Sequence, residues 1–276
     1  MAKLEQWLTA VSDSRRDEET LAYLKACGID AMELSVSAQE YQQIDWTAFR
    51  QHADRAGMQV LSYHLPFAWD INIAAPDEAM RRRAVDIHCD LMRNAAAVGI
   101  RRFVVHPSAE PIPDEERGAW MDAACRSLRE MAECADELDS VVCVENLPRT
   151  CLGNTADDML TLTAADSRLR VCFDVNHLLD TYGCTHREFV EKLGHLIVTT
   201  HMSDYDFVDE KHFFPGNGLI DWQEIVDLLE GIGYDGPFLY EGGFGPSHWA
   251  PEVPYGTYEQ ARERHLHIRK FRGRHA

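Results

Sequence analysis

The sequence predicts a single α/β domain, residues 1–276, folded as a (β/α)8 barrel. Three observations predict it. First, a rhythm repeats: a helical segment ends near a glycine, a short apolar run follows, and a polar loop comes next. Strands that alternate with helices form a parallel sheet, and unbroken apolar runs are strands covered on both faces. Second, eight such units fit in 276 residues, the length of a closed eight-stranded barrel. Third, the runs empty into carboxylates and histidines at the same place in the unit, as expected where the carboxyl ends of parallel strands open on one side. A doubly wound sheet is the competing architecture. No G-x-G-x-x-G follows any strand, so nothing speaks for a dinucleotide fold.

Taken in order, Gln6 to Val11 is a weak first strand, and a helix from Asp17 to Ala26 stops at Gly28. Ala31 to Val36 is the second strand, followed by a helix from Trp46 to Ala56 ending at Gly57. Met58 to His64 is the third, ended by Pro66. Pro76 and Asp77 start a long helix whose apolar spacing runs through Val85, Cys89, Met92 and Ala96 until Gly99. Arg102 to His106 is the fourth strand, and Asp114 to Leu138 the next helix. Val141 to Glu145 is the fifth, followed by a short helix from Thr155 to Ala164; Leu169 to Asp174 is the sixth, followed by a helix from Thr185 to Leu193. Leu196 to His201 is the seventh. It ends in His201, Ser203, Asp204, Asp206, Asp209, Glu210 and His212 before Pro215-Gly216-Asn217-Gly218 breaks the chain. Asp221 caps a helix to Glu230, Pro237 to Glu241 is the eighth strand, and Thr257 to Phe271 is the last helix.

Lys plus Arg number 27 against 46 Asp plus Glu, a net charge of −19. A surface this acidic repels phosphate backbones and anionic lipids, which argues against a nucleic-acid or membrane partner and leaves room for a small-molecule substrate. Residues 1–20 carry many charges and no apolar h-region, and no run approaches the ~18 apolar residues of a membrane span, so the cytoplasm is the expected location. The eight cysteines are scattered without a C-x-x-C pair and read as reduced, several of them small core residues. The sequence is compatible with a homo-oligomer.

The strand ends carry the chemistry. Glu33, His64, His106, Glu145, Asp174 with His177 three residues on, His201 and Glu241 each follow an apolar run. In a barrel they converge on one mouth, where charged groups are costly unless they pair or bind a metal. Glu145, Asp174, His201 and Glu241 make a mixed N/O set suited to one divalent cation such as Mn, Mg, Co or Zn, with Mn or Zn favoured. His64, His106, His177 and His212, with Glu33, are the candidates for contacting substrate; the rival reading of His64, His106 and His177 is that they hydrogen-bond the metal ligands. His88, His186, His195, His248, His265, His267 and His275 lie away from strand ends and read as structural or exposed. Phe67, Trp69, Phe213, Phe214, Phe244 and Trp249 supply either an apolar wall for a sugar face or loop packing.

Glu145 in VCVEN, Asp174 in CFDVNH, His201 in THMSD, H-x-x-P-G-N-G from His212 and Glu241 in LYEGG, in this order, resemble the xylose isomerase-like TIM barrels. These include sugar (phosphate) isomerases and epimerases, ketose 3-epimerases, inosose-processing enzymes and apurinic-site endonucleases. The resemblance covers nearly the whole chain. It implies that Glu145, Asp174, His201 and Glu241 are metal ligands, that Glu145 and Glu241 also move protons, and that His177 contacts substrate hydroxyls. A metal bridging a carbonyl and an adjacent hydroxyl acidifies the carbon between them and stabilises an enediolate, and carboxylates on opposite sides of that carbon can take and return a proton. The endonuclease branch uses three zinc ions. His64, His106, His177 and His212 match ligands of that branch, but Glu210 stands where it has an aspartate. The reading is therefore a metal-dependent isomerase or epimerase of a small sugar, keto-sugar or polyol derivative. The alternatives are a zinc-dependent phosphodiester hydrolase, a lyase or dehydratase using the same enediolate chemistry, and a barrel that binds sugar without turnover, which the pair Glu145 and Glu241 argues against.

Overall fold

The computed structural model describes residues 3–246 and 251–273. Eight parallel strands are joined by helices: β1 (Thr9–Asp13), α1 (Glu18–Ala26), β2 (Ala31–Ser35), α2 (Trp46–Ala56), β3 (Gln59–His64), α3 (Glu78–Ala97), β4 (Arg102–Val105), α4 (Arg117–Glu137), β5 (Val141–Glu145), α5 (Ala156–Thr163), β6 (Arg170–Asp174), α6 (His186–Leu193), β7 (Ile197–His201), α7 (Trp222–Gly231), β8 (Phe238–Tyr240) and α8 (Tyr258–His267). The hydrogen-bonded order runs β7-β6-β5-β4-β3-β2-β1-β8, which makes β7 and β8 the two edges. They are stitched by Met202 N donating to Leu239 O at 2.8 Å and Glu241 N to Met202 O at 3.3 Å, so the barrel is nearly closed. That rules out the doubly wound sheet, which would leave two open edges.

The helix starts follow local chemistry. Asp17, Asp45, Asp77, Thr155, Thr185 and Asp221 each accept a backbone N–H of the first turn, removing donors the helix itself leaves unpaired. Between strands and helices lies one continuous apolar layer, from Leu21 and Phe49 through Met92, Leu128 and Phe173 to Phe189 and Trp222. Inside the barrel the fillers are small: Ala10, Ala31 and Leu239 on one side, Val104, Cys143 and Cys172 on the other. All eight cysteines are free, and Cys143 and Cys172 take the core role expected of them. Side chains alternate along a strand, so the residue two positions beyond each filler points to the same interior, nearer the mouth. Those residues are Ser12, Glu33, Glu241, His106, Glu145 and Asp174.

Three boundaries differ by three residues or more from the sequence reading: α4 starts at Arg117 after a 3-10 turn at Asp114–Glu116, and the other two lie at the first strand and the last helix. The first strand is Thr9–Asp13, not Gln6 to Val11. Leu4–Gln6 forms a 3-10 turn, Leu4 and Trp7 are buried, and the Trp7 indole N–H donates to Tyr234 O at 3.0 Å. Those apolar residues plug the amino end of the barrel instead of entering the sheet. The last helix ends at His267, with Ile268–Lys270 continuing as 3-10. No helix among the described residues is long and apolar enough to cross a membrane. His248, Trp249 and His275 lie outside the described residues.

The loop after β7 is built around Asp204. Its carboxylate accepts Tyr205 N at 2.9 Å, Ile220 N at 3.1 Å, Gly216 N at 2.8 Å and the Trp222 indole N–H at 2.8 Å. A Cβ on Gly218 would lie 2.3 Å from Asp204 Oδ1, so only glycine fits there. Asp204, metal-competent by residue type, thus faces the loop interior and fixes the turn Pro215–Gly218.

His265 locks α8 to the amino end of the barrel. Its Nε2 donates to Leu4 O at 3.1 Å, so Nδ1 accepts the Thr9 hydroxyl at 2.9 Å, an arrangement open only to neutral imidazole. Burial lowers its pKa to about 4. The unfolded chain, with a histidine near 6.5, takes up the proton first. Stability is therefore full above pH ~6.5 and falls as pH drops towards 4, by up to about 3 kcal/mol from this group. Urea titrations of wild type and His265→Gln between pH 4 and 7 test this: the acid loss should be shallower in the variant, and equal slopes would refute it.

Candidate active site and metal centre

The mouth collects the predicted residues. His201 Nδ1 lies 3.0 Å from Glu145 Oε1, 3.3 Å from Glu241 Oε1 and 3.8 Å from Asp174 Oδ2. His64 Nε2 is 3.0 Å and His106 Nε2 3.3 Å from Glu145 Oε2. His177 Nδ1 is 3.5 Å from Asp174 Oδ2, and its Nε2 is 3.6 Å from Glu210 Oε2. His212 stands at the rim, with Nδ1 3.2 Å from Glu241 O and 3.3 Å from Ser203 Oγ. Glu145, Asp174 and His201 are fully buried, whereas the Glu241 side chain is one-fifth exposed.

The strand register explains the convergence. Asp174 and His201 are Cα partners on β6 and β7, and Glu145 pairs with Cys172 on β6. Asn146 ties the ends of β5 and β6 together. Its side chain donates to Asp174 O at 2.8 Å and accepts Asp174 N at 2.9 Å, while its own carbonyl accepts His177 Nδ1 at 2.8 Å. After β8, a Cβ on Gly243 would meet Phe214 Cα at 2.6 Å, so the backbone passes Phe214 only as glycine and leaves Glu241 facing inward.

The donor set fits a cation. The outer N–H of each of three imidazoles is used by a fixed acceptor: His64 Nδ1 by Leu65 O, His177 Nδ1 by Asn146 O, His201 Nε2 by Glu33 Oε1. Their inner nitrogens then face carboxylate oxygens, and an acceptor facing an acceptor needs a proton or a cation between them. Two buried carboxylate oxygens, Asp174 Oδ2 and Glu241 Oε2, have no hydrogen-bond partner. Among the described residues, three groups of side chains bring ligand atoms within 4.8 Å of one another: His64, Glu145, His201 and Glu241; Glu145, Asp174 and His177; and His177, Glu210 and His212.

Packed this closely, these groups shift one another's protonation. Burial, then the charges of Glu241 and Glu145, push the Asp174 carboxyl well above the usual range. Burial also opposes ionisation of Glu145, but His201 and His106 outweigh it and hold Glu145 low. Glu241 is likewise drawn down, to about 2, by His201 against burial. His64 overcomes burial through its contact with Glu145 and rises to about 9, whereas burial lowers His177.

Above this floor opens a cavity of about 270 Å³, lined by His64, His106, Glu145, His177, Glu210, His212 and Glu241 with Phe67, Glu110 and Arg149. Glu33 does not line it. The expectation that Glu33 contacts substrate is therefore corrected: it lies one layer deeper, fully buried under His201. Of the aromatic residues, Phe67 stacks on His106 at 3.8 Å between ring centroids and keeps half its surface exposed. Phe213 and Phe214 are buried, Trp69 packs on Trp120, and Phe244 lines a separate outer groove beside Arg15 and Lys211. Sequence reasoning missed Arg149 and Glu110. Among the described residues Arg149 is the one Lys or Arg lining the cavity, and it is bonded to Glu110 at 2.7 Å, Asp209 at 2.8 Å and Glu210 at 3.1 Å. Its backbone φ of 53° is not a property a sequence displays. Asn146 was legible as the residue after Glu145 in VCVEN, but not its clamping role.

Comparison with known proteins places this geometry. An uncharacterized protein of Methanocaldococcus jannaschii is 31% identical over 196 residues, 68% of this chain and 66% of the relative, so the chain spans just under two thirds of that relative. A D-psicose 3-epimerase of Ruminiclostridium cellulolyticum is 26% identical over 78% of this chain and 76% of its own length. Among solved structures, a D-tagatose 3-epimerase-like protein superposes with a TM-score of 0.75 at 23% identity, over 95% of this chain and 97% of that one. The family model for xylose isomerase-like TIM barrels matches residues 21–261, and the chain belongs to that family.

Proposed function

We propose that the protein is a divalent-metal-dependent epimerase or isomerase of a small sugar, keto-sugar or polyol derivative. The observation that carries this reading is the placement of Glu145 and Glu241 on the floor of a monosaccharide-sized cavity, both against His201 Nδ1 and beside the unpartnered Asp174 Oδ2. The sugar epimerases among its relatives support it. Glu145, Asp174, His201 and Glu241 are the residues that would hold the ion, a set suited to Mn, Zn, Co or Mg. When bound, the ion supplies Lewis acidity to a carbonyl and its neighbouring hydroxyl, which acidifies the carbon between them. Glu145 and Glu241 hold and move the proton at that carbon. They differ in freedom: both Glu145 oxygens are engaged by histidines, whereas Glu241 Oε2 is free to accept. His64, His106 and His177 surround Glu145 and fix it, and with His212 they face substrate hydroxyls. The exposed face of Phe67 offers an apolar surface to a sugar ring.

A second reading, a multinuclear phosphodiester hydrolase, draws on the group His177, Glu210 and His212, which could hold a further ion. The net charge of −19 and the engagement of Arg149 by three carboxylates weigh against a phosphate backbone as substrate.

Three outcomes are expected. Asp174→Ala and His201→Ala should lose metal and, with it, the stabilisation that a saturating ligand gives, about 2.7 kcal/mol at a hundredfold excess over Kd. Elemental analysis and melting curves with and without EDTA measure this, and full occupancy in both variants would refute the ligand assignment. About one ion per chain favours the epimerase, whereas two or three zinc ions with metal-dependent cleavage of an abasic-site duplex at low salt would favour the hydrolase. Glu145→Gln and Glu241→Gln should each cost on the order of 10²–10⁴ in turnover, the scale of a positioned general base. Deuterium uptake from D2O that persists in one variant and vanishes in the other assigns the two faces. Near wild-type rates in both, with metal bound, would sink the two-carboxylate mechanism.

A further inference from the structure

Below the proposed metal set sits a carboxylate with no access to the cavity. Glu33 on β2 is fully buried, and its neighbours in register on the flanking strands are both serines, Ser12 on β1 and Ser62 on β3. Ser62 Oγ donates to Glu33 Oε2 at 2.7 Å, and Ser12 Oγ to Oε1 at 3.3 Å. The ladder between β2 and β3 shifts register between Met32 and Glu33, an irregularity that re-aims a side chain. Held from both sides, Oε1 reaches across the barrel to His201 Nε2 at 3.0 Å.

We infer that Glu33 is a positioning residue for His201. By accepting the Nε2–H it fixes one tautomer, which turns the Nδ1 lone pair towards Glu145, Asp174 and Glu241 and makes the imidazole a stronger ligand there. A buried carboxylate could serve only as a polar anchor in the core. The geometry argues for more: both serines act on Glu33, and its one remaining side-chain hydrogen bond among the described residues is to the histidine whose other nitrogen faces three carboxylates. This inference rests on the metal reading above. Outer carboxylates of this kind typically change metal affinity 10–100-fold.

The test measures Mn2+ binding by calorimetry in wild type, Glu33→Gln and Ser62→Ala, with near-UV circular dichroism as the check on folding. Glu33→Gln keeps the shape and removes the charge, and should weaken Mn2+ binding 10–100-fold. Ser62→Ala leaves Glu33 in place but frees one of its oxygens, and should weaken binding in the same direction by less. It carries the test if Glu33→Gln fails to fold. In zinc-loaded wild type, long-range 15N–1H spectra should show His201 protonated at Nε2 alone, with that proton shifted upfield in Glu33→Gln. Tight wild-type binding left unchanged in the folded variants, or a zinc-loaded His201 protonated at Nδ1, would overturn this inference alone. Absence of Mn2+ and Zn2+ binding by wild type would overturn the metal reading and this inference with it.

Discussion

Like charges buried together constrain the site more than any other interaction. Glu33, Glu145, Asp174 and Glu241 share the interior of the barrel mouth, three of them without solvent contact. Unpaired ionised carboxylates in such a place are unstable, so each must be protonated, paired with an imidazolium or bridged by a cation. The surroundings of these groups favour different remedies. Asp174 is pushed towards its neutral form, while Glu145 and Glu241 stay ionised against histidines.

The scaffold meets this demand by rigidity. Several groups at the mouth are held from the far side by contacts that do not take part in the cluster. Leu65 O holds His64, Asn146 holds both Asp174 and His177, and Ser12 and Ser62 hold Glu33. Asp204 does the same for the chain after β7, satisfying the turn from inside. Removing one of these anchors does not delete a member of the cluster. It loosens the angle at which a ligand meets its neighbours, and site geometry is sensitive to displacements well under an ångström.

Much of this was legible in the sequence because of strand periodicity. An apolar run covered on both faces ends where the barrel ends, so the first charged or metal-competent residue after it, Glu145, Asp174, His201 or Glu241, is placed at the mouth by counting alone. The same counting located His64 and His106. It failed for Glu33, which is two residues short of the end of β2, because depth along the barrel axis depends on strand stagger and a run of letters does not give stagger. It failed at the first strand because Leu4 and Trp7 are apolar for a different reason: they seal the amino end of the barrel. Arg149 was invisible for a third reason, since its partners Glu110 and Asp209 come from other loops.

Those loop contacts bear on what the cavity accepts. A polyhydroxylated ligand brings donors that match the carboxylates and histidines lining the floor. A phosphate brings charge of the same sign as Glu110, Glu145, Glu210 and Glu241, and the cation beside them is already spoken for by Glu110, Asp209 and Glu210. Binding an anion in this cavity would require Arg149 to leave those carboxylates, exposing their mutual repulsion as it did so. Uncharged hydroxyl-rich groups incur no such cost.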